Sequence, residues 1–318
     1  MTVWTIILLV LGMALLIKGA DFFVDGASSI AKILKIPTII IGLTLVSIGT
    51  TLPEAAVSIT TALQGSDGMT IGNVVGSNIF NTMLILGLSV TLVPVVIDKE
   101  MRKSYLPILC FVYALLIVFS FLITPYKLDR WEGIILLVLF LSYILFLILK
   151  AKKSTDNAIE QNQEKKSPLW ISILLIILGG AGIIVGSDLV VDNATIIAKA
   201  LGMSDELVGL TILSVGTSLP ELVTSIVAAV KKEKDISIGN VVGASIYNVI
   251  FILGVSSTIT PLGVISQSLV DMLVMLGTGL LIFLFTLCGK KLNRWQGIVM
   301  ITIYLAYLAF IIARNYAF

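Results

Sequence analysis

Two glutamates stand where an apolar chain has to give them a use. Glu54 closes the string GTTLPE (49–54) and Glu221 closes GTSLPE (216–221), each inside a long apolar run. On a helix, Ser47, Thr50, Glu54 and Ser58 are spaced by 3, 4 and 4 residues and share one face, and Ser214, Thr217, Glu221 and Ser225 repeat the pattern. An ionised carboxylate at the centre of a bilayer costs about 2.5–3.5 kcal/mol on the insertion scale for Asp. Two that face each other also repel, so the pair is tolerable with a cation between them or with one carboxyl protonated.

Pro53 and Pro220 immediately precede these acids. A proline lacks the N–H and its ring displaces the carbonyl four residues back, which frees Gly49 and Gly216 and loosens Thr50 and Thr217. Free carbonyls at membrane depth must line a cavity or bind something. A carboxylate, a hydroxyl and loosened carbonyls from each copy make an all-oxygen cage suited to a hard cation; calcium takes 6–8 oxygens at about 2.3–2.6 Å in flexible geometry. A second stripe, Asn73, Ser77 and Asn81, reappears as Asn240, Ala244 and Asn248. Asn81 and Asn248 lie deeper in their apolar runs and are assigned to the site lining. Asn73 and Asn240 are expected to cap or crosslink helices, and Gly72, Gly76, Gly239 and Gly243 to permit close helix approach. Lone hydroxyls in membrane helices commonly bond a carbonyl one turn back or join one helix to another, and such a structural role is the expectation for Ser58 and Ser225; Ser47 and Ser214 are open to a structural or a site-lining role.

The elements that carry these residues follow from composition. The chain has 318 residues, 58% hydrophobic and 13% charged, against about 25% charged in soluble domains. It reads as an all-α membrane protein with ten spans: 3–18 (extendable to 33), 38–63, 70–93, 104–124, 131–149, 169–186 (extendable to 200), 206–230, 236–260, 267–288 and 295–313. The polar stretch 150–168 reads as a flexible cytoplasmic linker loop between residues 1–149 and 169–318. With both termini outside, 17 of the 21 Lys and Arg fall on the cytoplasmic side. Asp21, Asp25, Asp188 and Asp192 are expected at the interface, Asp271 to snorkel, and KKEKD (231–235) to be a solvated loop.

Gly42–Pro94 aligns on Gly209–Pro261 at an offset of 167 without a gap, with 26 of 53 positions identical. The offset reaches upstream to 18–32 and 185–199, and DRWEGI (129–134) echoes NRWQGI (293–298). Each copy holds five spans, so the second enters the membrane inverted. Inverted-topology repeats are a mark of secondary transporters, with the site where the repeats meet, near the midplane. The absence of His excludes His-based proton relays, His metal sites and Ser-His triads. Nothing suggests a nucleic-acid partner, and Cys110 and Cys288 suggest buried thiols without a disulfide framework.

GTTLPE and GTSLPE, each followed by GNVVG, resemble the alpha-1 (42–81) and alpha-2 (209–248) repeats of the calcium/cation antiporter superfamily, specifically its prokaryotic sodium/calcium exchangers. The resemblance implies a cell-membrane antiporter that exchanges sodium for calcium by alternating access and acts as a monomer, with no cofactor and no enzymatic activity. It implies core spans 2, 3, 7 and 8, against which spans 1 and 6 slide. It implies Glu54 and Glu221 as calcium ligands with the Thr50 and Thr217 carbonyls, sodium sites using Ser47, Ser77 and Ser214, and Asn81 and Asn248 lining the middle. Ala244 departs from the family's usual Ser and bears on the sodium count, and Asn248, where potassium-dependent relatives carry Asp, leans against potassium. A proton/calcium antiporter is the alternative, disfavoured by the two prolines. A passive cation channel is a weaker one, and an intramembrane protease lacks any catalytic constellation.

Overall fold

The computed structural model of the protein describes residues 3–156, 168–202, 214–287, 289 and 291–316. The expected start of span 206–230, most of the linker and Cys288 lie outside the described residues.

The described residues form eleven helices: α1 (Val3–Leu34), α2 (Thr38–Thr50), α3 (Leu52–Leu63), α4 (Asp67–Leu92), α5 (Met101–Ile123), α6 (Arg130–Asp156), α7 (Leu169–Ala200), α8 (Leu219–Val230), α9 (Lys234–Ile259), α10 (Gln267–Leu287) and α11 (Arg294–Tyr316). One further turn of helix, Ser214–Gly216, precedes α8. Eight of them are long and apolar enough to cross a membrane among the described residues, and α2 and α3 make a further broken span, bent by 48°. α8 is a shorter apolar helix. The protein is a multi-pass membrane protein. In the apolar stretches of α4 and α9, 78% and 89% of residues are enclosed, against 17–39% in the other six, so these two helices form the centre.

α1 and α7 are each continuous over 32 residues, about 48 Å at 1.5 Å per residue, longer than a hydrocarbon core of about 30 Å. They run antiparallel along a seam of small residues at heptad spacing. A Cβ added to Gly12 would lie 3.0 Å from Gly186 O, one at Gly19 2.8 Å from Gly179 O, and one at Gly26 2.7 Å from Ser172 O. The backbones touch because these positions lack bulk, which is how helices associate where lipid is as apolar as the side chains. Lys18, where the shorter reading of the first span ends, lies within α1.

Among the described residues four short strands form two antiparallel ladders: β1 (Val95–Val96) with β4 (Lys291–Leu292), and β2 (Lys127–Leu128) with β3 (Leu262–Gly263). β3 is the repeat counterpart of β1, and β4 that of β2, so each copy pairs with the other copy in the same way. The echoed strings start the helices that follow. Glu132 accepts from the Asp129 N–H at 2.7 Å and Gln296 from the Asn293 N–H at 2.8 Å, the same half of a capping box in both copies.

Several expectations change. α6 continues to Asp156, so the stretch from 150 begins as helix, and Lys150 pairs with Glu100. Asp271 is not left to water alone: Arg314 grips both its oxygens at 3.1 and 2.9 Å, and Tyr307 donates at 3.1 Å. The run 231–235 is not merely solvated, because Lys231, Glu233 and Asp235 bond Asp21 and Asp25, Ser28, and Thr38. Close approach holds for Gly239 and Gly243, where an added Cβ would come within 2.9 Å of Ile39 O and 2.6 Å of Ser47 Oγ; at Gly72 and Gly76 it would meet nothing within 4 Å.

Candidate cation site

The break between α2 and α3 falls at Thr51, and Pro53 sits in the first turn of α3 with Glu54 beside it. α8 begins in the same way, with Pro220 and Glu221 in its first turn. A helix N-terminus carries partial positive charge, so each carboxylate sits at a favourable helix end. Both glutamates are 1% exposed.

The two motifs are bonded crosswise. Ser218 Oγ donates to Glu54 Oε1 at 3.0 Å, and Thr51 Oγ1 donates to Glu221 Oε1 at 3.2 Å. Thr51 and Ser218 are counterparts at the repeat offset, so each acid is held by the hydroxyl that precedes the other repeat's Leu-Pro-Glu. The remaining oxygens, Oε2 of Glu54 and of Glu221, are buried without a hydrogen-bond partner. Unpaired buried acceptors cost about 1–3 kcal/mol, more when charged, and two neighbouring carboxylates repel unless a cation joins them or one is protonated.

A second crosswise pair lies behind the first. Thr50 Oγ1 donates to Asn240 Oδ1 at 3.0 Å and Asn240 Nδ2 donates to Ser225 Oγ at 2.9 Å. In mirror fashion, Thr217 Oγ1 donates to Asn73 Oδ1 at 3.4 Å and Asn73 Nδ2 donates to Ser58 Oγ at 2.9 Å. Asn73 and Asn240 thus crosslink the repeats, and Ser58 and Ser225 serve as their structural acceptors.

The other predicted residues are distributed around this frame. Ser77, 4% exposed, has its Oγ 3.1 Å from Ser218 Oγ. Ser47 is fully buried, its Oγ 3.2 Å from Thr44 O. Asn81 is fully buried at the start of a widened π-turn, and neither its Oδ1 nor its Nδ2 has a partner. Asn248 begins the matching π-turn; its Nδ2 donates to Asn78 Oδ1 at 3.0 Å and its Oδ1 is unpaired. Such π-turns free backbone groups and recur at functional sites. Ala244, fully buried, offers no hydroxyl where Ser77 has one. The side chain of Ser214 lies outside the described residues.

One carbonyl expected to be free is not. Gly216 O, released by Pro220, accepts a hydrogen bond from Ser187 Oγ of α7 at 3.2 Å. The counterpart of Ser187 in α1 is Ala20, so Gly49 receives no such hydroxyl; Phe23 packs there, 2.9 Å from where a Gly49 Cβ would stand. Reading each helix as its own stripe overlooked Thr51, Ser218 and Ser187. The signal for the first two was present, since both copies carry a hydroxyl between Thr and Leu-Pro-Glu, but its target is on the other repeat.

The sequence profile of the sodium/calcium exchanger protein family matches residues 4–149 and 171–313. The chain is 33% identical to the sodium/calcium exchanger MaX1 of Methanosarcina acetivorans over 338 residues, covering 95% of this chain and 97% of that one. It is 36% identical to an uncharacterized membrane protein of Methanocaldococcus jannaschii over 300 residues, covering 94% and 95%. A solved structure of the sodium-calcium exchanger NCX_Mj, soaked with sodium and calcium, superposes with a TM-score of 0.84 at 35% identity, over 97% of this chain and 99% of that one. A profile spanning both halves and a full-length structural match leave one assignment: the chain belongs to the sodium/calcium exchanger protein family.

Proposed function

We propose that the protein exchanges sodium for calcium across the membrane by alternating access, at a midplane site built on Glu54 and Glu221. The observation that carries this reading is the crosswise bonding of Ser218 to Glu54 and Thr51 to Glu221, which leaves one unpartnered buried oxygen on each acid. Two carboxylates and the adjoining Thr50 and Thr217 carbonyls neutralise one calcium ion and offer it hard oxygen ligands. Sodium ions occupy the flanks, using Ser47, Ser77 and Ser214 with the same Thr and Glu residues, while Asn81 and Asn248 line the middle. With no ion bound, the two buried charges make the crossing unfavourable, and this couples the two fluxes.

Ten spans in two inverted five-helix repeats, both termini outside, give the frame for alternation. The mirror pairing of β1 with β4 and β2 with β3 supports the inversion. Equivalent segments pair across the repeats, with five spans separating β1 from β3. The α1/α7 pair, which packs on itself through glycine backbone, is the unit that moves against the central helices. The chain acts as a monomer, since both halves of the site lie in it.

In vesicles with an imposed sodium gradient, calcium-45 uptake is expected and is lost in Glu54→Gln and in Glu221→Gln. Uptake indifferent to sodium but driven by a pH gradient would replace this reading with proton/calcium exchange.

A further inference from the structure

The two faces of the α1/α7 pair are not bonded alike. On one face, Lys231, just beyond α8, pairs with Asp21 and with Asp25 of α1 at 2.6 Å each, and donates to Asp21 O at 2.9 Å. Ser28 Oγ of α1 donates to Glu233 at 2.6 Å. Beneath these bonds α1 packs along α8, with Phe23, Val24, Ala27 and Ala31 joined to Ala228 in one buried cluster and Val223 and Val227 against it.

The repeat offset of 167 maps Asp21, Asp25 and Ser28 onto Asp188, Asp192 and Thr195 of α7, and Lys231 and Glu233 onto Gln64 and Ser66 beyond α3. The acids are kept and the cation is not. Among the described residues Asp188 and Asp192 have no ion pair, and the buried Thr195 Oγ1 has no partner. α7 makes no extended contact with α3. Leu52 is 51% exposed where its counterpart Leu219 is half-buried, and Ala56 is exposed where Val223 is half-buried.

We propose that Lys231, bound to Asp21 and Asp25, is an ion latch that seals α1 against α8 on one face of the transporter, and that Gln64 leaves the opposite face unlatched. The exchanger then rests open to the face away from Lys231. This rests on the alternating-access reading, in which α1 and α7 move as a pair. A contact present in only one of two interconverting states biases their populations by its full differential energy. Part-exposed ion pairs are individually weak, so the bias is a matter of several-fold rather than of a locked state.

The test is state-dependent labelling of cysteines in full-length protein in sealed vesicles, with Cys110 and Cys288 replaced by Ala. Val223→Cys reports the latched face and Ala56→Cys the other, each probed from its own side with a membrane-impermeant maleimide. Lys231→Gln removes the latch, and Gln64→Lys supplies one to Asp188 and Asp192. Both are expected to speed labelling at position 223 roughly three- to tenfold and to slow it at position 56, and the double variant to do so most. Gln64→Lys adds a surface charge without removing a native contact, so it remains informative if Lys231→Gln folds poorly. Unchanged labelling at both positions in Gln64→Lys, or slower labelling at 223 in Lys231→Gln, overturns the latch. Neither labelling result depends on which ions are exchanged, whereas absence of sodium-driven calcium uptake by the unmodified protein would overturn the functional reading instead.

Discussion

Ser218 of the second repeat holds Glu54 of the first at 3.0 Å, and the same hydroxyl lies 3.1 Å from Ser77. The acid is therefore oriented by a residue 164 positions away, while its second oxygen is buried without a hydrogen-bond partner. In the mirror position Thr51 bonds Glu221, but Ala244 stands where Ser77 would be. The two halves of the site share a plan, and at this position they differ by one hydroxyl.

That difference gives the first prediction. Ala244→Ser restores the missing oxygen next to the Thr51–Glu221 pair. The sodium concentration for half-maximal calcium efflux is expected to fall about threefold or more, with a steeper sodium dependence, for one added oxygen ligand worth about 1 kcal/mol. Sodium titrations of calcium-45 efflux at fixed calcium check it.

Removing a carboxylate should separate binding from stability. Glu54→Gln and Glu221→Gln each delete one buried charge that has no cationic side chain to pair with. Calcium affinity is expected to drop by at least about tenfold, about 1.4 kcal/mol. The ion-free protein is expected to melt no lower than the parent, because a repulsive pair has been dissolved. Thermal melts in detergent with chelator and with calcium measure both: the parent gains stability with calcium, and the variants gain little.

The asparagine crosslinks give a coupling test. Asn240→Ala strands the Ser225 Oγ and leaves the Thr50 hydroxyl only the Ser47 carbonyl at 3.3 Å, at a cost of about 1–3 kcal/mol. Asn73→Ala should do the same to Thr217 and Ser58. In a double-mutant cycle Asn240 and Ser225 should couple by about 0.5–3 kcal/mol, while Asn240 and Ser58, in different networks, should be close to additive. Denaturation of the detergent-solubilised variants reads the cycle.

The small-residue seam predicts sharp intolerance. Gly19→Ala places a methyl 2.7 Å from Ile183 N and 2.8 Å from Gly179 O, both backbone atoms that cannot yield alone. Forcing α1 from α7 should cost about 1–3 kcal/mol and, with this pair proposed as the moving unit, slow exchange. Gly277→Ala in α10 meets nothing within 4 Å and serves as the control, expected to melt as the parent or slightly higher. A melt series with Gly12→Ala and Gly26→Ala completes the comparison.

The helical membrane class and most spans were legible because long apolar runs and period-3.6 polar stripes are local properties of a chain in lipid. The 167-residue offset likewise exposed both acids and both prolines. The length of α6 was not legible, since charged residues such as Lys150–Lys153 suit a solvated helix end as well as a loop. The fate of the Gly216 carbonyl was not legible either, because Ser187 approaches from another helix.

By itself, then, the sequence determined that two copies of one unit carry a glutamate behind a proline inside a long apolar run, because burial and helix breaking act along a few neighbouring residues. Only the tertiary structure decided which partners those groups have. Ser218 crosses to Glu54, Thr51 to Glu221, Asn240 to Thr50, and Lys231 to Asp21 and Asp25. Hydrogen bonds and ion pairs are settled at distances near 3 Å between residues far apart in the chain, and no spacing within one helix encodes which surface will be brought against it.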